Sequence, residues 1–281
     1  MTTARPPWED AATNATVQHF DEITDAEYHA EPYGDSMSSH KLLDFMRDPA
    51  IYWAYREGVL VDEDKPHYAF GRAAHCYILE GSENFDDRYH VSDGPINEKT
   101  GRPFGRDTQK FAAFLEEVRQ DGREFVTVDE KRSIEAMYWS AVGHTVARNL
   151  FNVGAPEVVI RGTENGVALK GRLDWLDSAH GRIVDLKTCD DLDRFAKTVF
   201  EYGYNIQAAF YRRLVRLLTG HNYGVYVVAV EKKQPFRTGV WEFAQTTLYD
   251  ADEKIGELLA DFRNRFHIGN WSSKYDTLSV I

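Results

Sequence analysis

The chain has 281 residues, 43% of them hydrophobic and 28% charged, enough to bury a core in one large domain or two small ones. Its formal net charge of −12 argues against a protein that coats nucleic acid indiscriminately, but leaves room for a local basic groove. No apolar run approaches the roughly 20 residues of a membrane helix, and Cys76 and Cys189 are too few for a disulfide framework or a four-cysteine zinc or iron–sulfur site.

The opening MTTARPPWEDAATNAT lacks the basic and apolar regions of a secretory signal, so a reducing cytoplasm is the expected location. Residues 1–36 are polar, acidic and aperiodic, and read as a tail or loosely docked arm before a single domain over 37–281. Helical signals begin in DSMSSHKLLDFMRDPAIYWAYREG, where Ser38 or Ser39 caps one helix and Pro49 suits the first turn of the next. HYAFGRAAHCYILEG predicts a helix ended by Gly81, with Gly71, Ala73 and Ala74 small enough for a neighbour to come close. A Gly/Pro-rich loop over 93–107 carries Arg102 and Arg106 and leads into the helix TQKFAAFLEEVRQ. Residues 128–151 are helical again, with Ile134, Met137, Tyr138, Ala141 and Val142 in one apolar stripe.

The period then changes. EVVIRG, GVALKGRLDWLD, GRIVDLKT, YGVYVVAVEKK and TGVWEFAQTTL all predict strands. Between the third and fourth lies the helix NIQAAFYRRLVRLLTG, with Asn205 as N-cap, Gly220 as its stop, and Arg212, Arg213 and Arg216 as a solvated face. A last helix covers roughly 249–267. Helices, antiparallel strands, a crossover helix and more strands make an α/β fold with a central mixed sheet flanked by helices.

One hairpin carries unusual residues. In GRLDWLDSAHGRIVDLKT, centring the turn between Ala179 and His180 sets Asp174 across from Asp185. Directly opposed like charges destabilise a sheet, so something positive has to lie between them. Asp185 and Lys187 share a strand face, while Leu186 points the other way. Lys187 answers part of the repulsion and a divalent cation the rest. Paired carboxylates that leave room for water and a phosphate oxygen suit Mg²⁺.

Asp174 followed by Asp185-Leu186-Lys187 resembles the motif of the PD-(D/E)XK nuclease superfamily, with Leu173 where that superfamily has proline. NIQAAFY sets Gln207 and Tyr211 one helical turn apart, which is similar to the Q-x-x-x-Y motif of RecB-type nucleases. His75 in GRAAHCYILE is similar to the histidine of that group, and LKGRLDWL and VAVEKKQPF look like the exodeoxyribonuclease VIII (RecE-like) domain.

The resemblance implies a restriction-endonuclease-like core with an N-terminal helical part. It implies a Mg²⁺-dependent exonuclease, with Mn²⁺ as substitute, that degrades linear duplex DNA 5′→3′ and leaves 3′ single strands for an annealing protein. His75, Asp174, Asp185 and the Leu186 carbonyl would hold the metal, Lys187 would be the catalytic lysine, and Gln207 and Tyr211 would contact the substrate phosphate or order the site. Relatives form rings, which implies a homo-oligomer. The alternatives are a PD-(D/E)XK endonuclease, a Cas4-like nuclease without an iron–sulfur cluster, and an inactive nuclease-fold protein that only binds DNA or a partner. Arg102, Arg106, Lys232, Lys233 and Arg237 are candidate phosphate contacts, and Glu157 reads either as a carboxylate supporting the site or as a solvated strand end.

Overall fold

The computed structural model describes residues 15–18, 27–28, 36–61 and 66–276. Its centre is a six-stranded sheet in the order β1-β6-β7-β8-β9-β10. These strands are β1 Ala15–Gln18, β6 Ala155–Glu164, β7 Val167–Asp177, β8 Arg182–Cys189, β9 Gly224–Glu231 and β10 Thr238–Glu242. All neighbours are antiparallel except β8 and β9, whose parallel pairing needs the helical crossover between them.

Two short ladders lie outside the sheet. β2 (Tyr89–Val91) pairs in parallel with β5 (Glu124–Val126), and β3 (Ile96–Asn97) pairs with β4 (Arg102–Pro103) within the loop that carries Arg102. The helices are α1 Ser39–Arg47, α2 Pro49–Arg56, α3 Pro66–His75, α4 Ser82–Arg88, α5 Gln109–Gln120, α6 Val128–Gly143, α7 Thr145–Leu150, α8 Phe195–Glu201, α9 Tyr204–Thr219 and α10 Gln245–Ile268.

Alternation along the strands feeds two apolar layers. Leu169, Leu173, Ile183 and Val225 pack with Phe45 of α1, Phe210 and Leu214 of α9, and Ile255 of α10. Val184, Leu186, Val228 and Val230 pack with Ala73 and Ala74 of α3 and Ile134, Met137 and Ala141 of α6. Adjacent Ile183 and Val184 thus serve opposite layers, as a pleated strand requires. Gly171 in β7 lets α9 close on the sheet, because a Cβ there would lie 2.6 Å from Leu214 Cδ1 and 3.2 Å from the Tyr211 ring.

Several elements differ from the sequence reading. Part of the predicted arm is built into the domain: Ala15–Gln18 forms an edge strand on β6, and buried Tyr28 sits beneath Lys170, whose Nζ lies 4.2 Å from its ring centroid. Residues 1–14, 19–26 and 29–35 of that arm lie outside the described residues. Helix α9 begins at Tyr204 with Gly203 as its N-cap, two residues before the expected one, so Asn205 lies inside the first turn. Gln245–Leu248 is the first turn of α10 rather than the end of β10.

The arginine face is not solvated. Arg212 is 1% exposed, and Arg213 bonds Glu164 at 2.6 Å and Asp252 at 2.7 Å, with Arg216 on the same Asp252. The side chains clamp α9 to α10 and to the β6–β7 turn. Periodicity marked them as outward, but α10 covers that side. Arg213→Ala leaves two largely buried carboxylates short of a partner and is expected to cost about 3 kcal/mol, read as a lower denaturant midpoint.

Candidate metal centre

The β7–β8 register is the one the sequence implies, with Trp175 opposite Val184, Leu176 opposite Ile183 and Asp177 opposite Arg182. The ladder stops one position short of Asp174 and Asp185. There the Asp174 carboxylate takes over, its Oδ2 accepting the Leu186 N–H at 2.8 Å. A side chain in the place of a backbone carbonyl ends the pairing and opens the sheet beside two acids.

Four further groups converge on that opening. Lys187 Nζ lies 2.7 Å from Asp185 Oδ2. His75, the last residue of α3, brings Nδ1 to 3.6 Å from Asp174 Oδ2. A π-helical turn, Cys76–Glu80, follows it directly, and such turns re-aim the residues beside them. Gly71, one turn earlier, would place a Cβ 3.8 Å from Thr188 Oγ1, so α3 does lie close over β8. Gln207 Nε2 donates to the Tyr211 hydroxyl at 3.0 Å, and both side chains are buried.

The fourth group is Glu157. Pro156 pairs with Trp175 and Val158 with Leu173, which brackets Glu157 opposite Asp174. It is not a solvated strand end: it is 9% exposed, its φ of 50° is left-handed, and Arg172 Nε meets its carboxylate at 3.0 Å. A non-glycine residue held in that conformation inside a strand costs free energy that the surroundings have to offset. His75, Glu157 and Asp174 each offer a ligand atom within 4.8 Å of the other two.

Burial dominates the ionisation of the cluster. Glu157 is pushed up to about 8 by burial and then by Asp174. Asp185 rises to about 6 by burial, with Lys187 opposing and Asp174 adding to the rise. Asp174 is raised as well, mainly by burial. The His75 imidazole falls to about 4, through burial and then Lys187, so it is neutral and able to donate a lone pair. Burial disfavours the Lys187 ammonium, yet Asp185 and Asp174 together lift it above the ordinary lysine value.

The donors fit a divalent cation. Burial raises all three carboxylates even with Lys187 and Arg172 beside them, and the buried Asp185 Oδ1 has no hydrogen-bond partner. Two or three carboxylates with one neutral imidazole form a mixed oxygen and nitrogen set suited to Mg²⁺ or Mn²⁺. Leu186 contributes a side chain fully buried beneath α3 and α6, and its N–H is committed to Asp174.

The candidate phosphate contacts are not gathered in the same way. Arg102 and Lys233 are exposed. Arg106 meets Glu130 at 3.4 Å and Lys232 meets Asp190 at 3.1 Å. Arg237 is engaged by Glu231 at 2.6 Å and by Asp193 at 3.3 Å, and its hydrogen bonds help hold Glu231 down near 2. That guanidinium braces the β9–β10 turn, which removes it from the free cations.

Among solved structures, a protein from Eubacterium rectale named "Putative exonuclease" superposes with a TM-score of 0.64 at 16% identity, covering 92% of this chain and 95% of its own. SSO0001 matches at a TM-score of 0.26 and 16% identity over 52% of this chain and 69% of its own. VC1899 from Vibrio cholerae matches at 0.23 and 10% identity over 92% and 60%. The first likeness bears on the fold, and the other two carry no argument. No curated protein sequence matches the chain. No helix among the described residues is long and apolar enough to cross a membrane. The model of one family, described as a PDDEXK-like domain of unknown function (DUF3799), matches residues 36–272, and the chain belongs to that family and so to the PD-(D/E)XK nuclease superfamily.

Proposed function

We propose that the protein is a Mg²⁺-dependent exodeoxyribonuclease that degrades linear double-stranded DNA from its ends, 5′→3′, leaving 3′ single strands for recombination and annealing. The observation that supports this most is the convergence of His75, Glu157 and Asp174 beside the Asp185–Lys187 pair, where β7 and β8 part. In this reading His75, Asp174, Asp185 and the Leu186 carbonyl hold the cation, Mn²⁺ substitutes for Mg²⁺, and Glu157 completes the acidic set. When bound, the divalent ion supplies a Lewis acid that polarises the scissile phosphate and acidifies water.

The remaining work falls to the chain itself. Leu186 N–H fixes Asp174 in one orientation. Lys187, held charged by Asp185, offers positive charge to the phosphate as negative charge develops. Tyr211 and Gln207, bonded to one another, form a rigid polar pair on α9 that orders the phosphate. Duplex ends are the partner, and a single-strand annealing protein would take the product. A homo-oligomeric ring would let a chain of net charge −12 keep hold of its substrate.

Linear and covalently closed forms of one plasmid, incubated with Mg²⁺, test the reading. Linear DNA is expected to disappear while closed circles persist, and both are expected to survive with chelator. Cleavage of closed circles would make the protein an endonuclease. Survival of linear DNA would leave a nuclease-fold protein that only binds. Binding is expected to weaken with salt, with a slope set by how many Lys and Arg side chains meet phosphate.

A further inference from the structure

Beyond the metal cluster, the chain from α8 into α9 carries aromatic side chains that packing does not explain. Phe200 is 62% exposed and Tyr202 is 63% exposed, next to a charged and otherwise well-packed centre. Exposed rings occur elsewhere on the surface, but Tyr202 is joined through Tyr204 to the lysine of the site.

The turn ties them to the reaction centre. Lys187 Nζ lies 4.9 Å from the centroid of the Tyr204 ring. The rings of Tyr204 and Tyr202 lie 5.8 Å apart, tilted by 53°. A row therefore runs from the lysine, through half-buried Tyr204, to exposed Tyr202. Tyr204 is anchored from below by Phe195, at 6.3 Å between ring centroids.

The row is also rigid. Gly203, between the tyrosines, has φ +70°, and a Cβ there would lie 2.5 Å from Leu43 Cδ2 of α1. Only glycine meets both the left-handed conformation and the close approach. Its carbonyl accepts the Gln207 N–H at 3.0 Å, which joins the turn to the Gln207–Tyr211 pair. With the backbone fixed, a flat partner has only the two side-chain torsions of Tyr202 to order.

We propose that Tyr202, backed by Tyr204, is a stacking platform for an unpaired nucleobase at the DNA terminus, so that the enzyme grips a frayed or single-stranded end rather than a closed duplex. This rests on the nuclease reading above and extends it to the form of the substrate. The overall field of a protein of net charge −12 repels DNA, whereas a ring–base contact works irrespective of sequence and charge. Stacking beside Lys187 would present the adjoining phosphate to the acidic cluster.

The test uses DNA hairpins with a blunt end, with a short unpaired overhang, and with the same overhang made abasic. Binding to the full chain is followed by fluorescence anisotropy, and 2-aminopurine in the overhang reports stacking. Wild type is expected to bind the overhang hairpin more tightly than the abasic one and to quench 2-aminopurine. Tyr202→Ala is expected to lose about tenfold in affinity for the overhang and to abolish the quenching. Tyr202→Phe, which keeps the ring, is expected to behave as wild type, and the abasic hairpin is expected to bind all three alike. Because Tyr202 is exposed, an unchanged melting temperature verifies the fold of each variant. Equal overhang affinity for wild type and Tyr202→Ala, or equal losses on the base-bearing and abasic overhangs, overturns the platform while the nuclease reading stands. A wild type that binds no hairpin and cuts no linear DNA overturns both.

Discussion

Asp185→Asn is expected to lower metal-dependent digestion of linear duplex DNA by about 1,000-fold or more, and at the same time to stabilise the metal-free protein. The two effects have one origin. Asp185 is 5% exposed, with one oxygen on Lys187 and the other without a partner, so its charge is costly until a cation arrives. Its pKa stands at about 6 folded, against 3.8 for the free side chain. Between those values the native state binds more protons than the unfolded chain, so stability falls as pH rises, by about 3 kcal/mol in all.

Asparagine resembles the protonated acid and removes that dependence. Metal-free Asp185→Asn is therefore expected to melt above wild type at pH 8, with the gap narrowing as pH falls and closing near pH 3.5, below both values. Saturating Mn²⁺ is expected to reverse the order at pH 8, because wild type alone gains the full ligand set. Thermal melts at the two pH values, with and without Mn²⁺, check this without any DNA. Full nuclease activity in the variant would remove Asp185 from the centre. A variant that melts below wild type at pH 8 would mean that the Lys187 contact outweighs the cost of burying the acid.

The distinction between what the sequence made legible and what it did not follows from the physics of each element. The β7–β8 register needed one assumption, the turn centre, and every opposed pair follows from it. His75 came from a resemblance, and its approach to Asp174 depends on a helix packed closely through Gly71, Ala73 and Ala74. Glu157 has two readings in the sequence, although a signal for one of them exists. Asn165-Gly166, both with positive φ, is the favoured dipeptide of a tight hairpin, and centring β6–β7 there sets Glu157 opposite Asp174. Its own left-handed φ carries no sequence mark, since glutamate rarely adopts it.

The arginines of α9 misled for another reason. Alternation places charge outward on a lone helix, and only tertiary packing reveals a second helix with Asp252 on that side. The edge strand β1 alternates, with Ala15 and Val17 on the core side, but four residues are too few for a periodic signal to stand out. Tyr202 was invisible as a candidate because exposure, not sequence, sets it apart.

Lys187→Ala separates the two roles a lysine can have beside paired acids. With Asp185 and Asp174 lifting its pKa above the ordinary value, the ammonium keeps its proton at neutral pH in the metal-free centre. It acts through charge, either on the substrate phosphate or on the acids themselves. If it serves the phosphate, removal is expected to cost about 100- to 10,000-fold in turnover, with Mn²⁺ affinity unchanged or tighter, because the acids lose a competitor for the cation. Isothermal titration with Mn²⁺ measures the affinity, and single-turnover digestion measures the rate. If Lys187 mainly orients Asp185, at 2.7 Å, affinity is expected to fall with the rate, and Lys187→Arg, which keeps the charge, would recover both. A tenfold weaker Mn²⁺ site in Lys187→Ala would therefore make the lysine a positioning residue for Asp185 rather than a catalytic one.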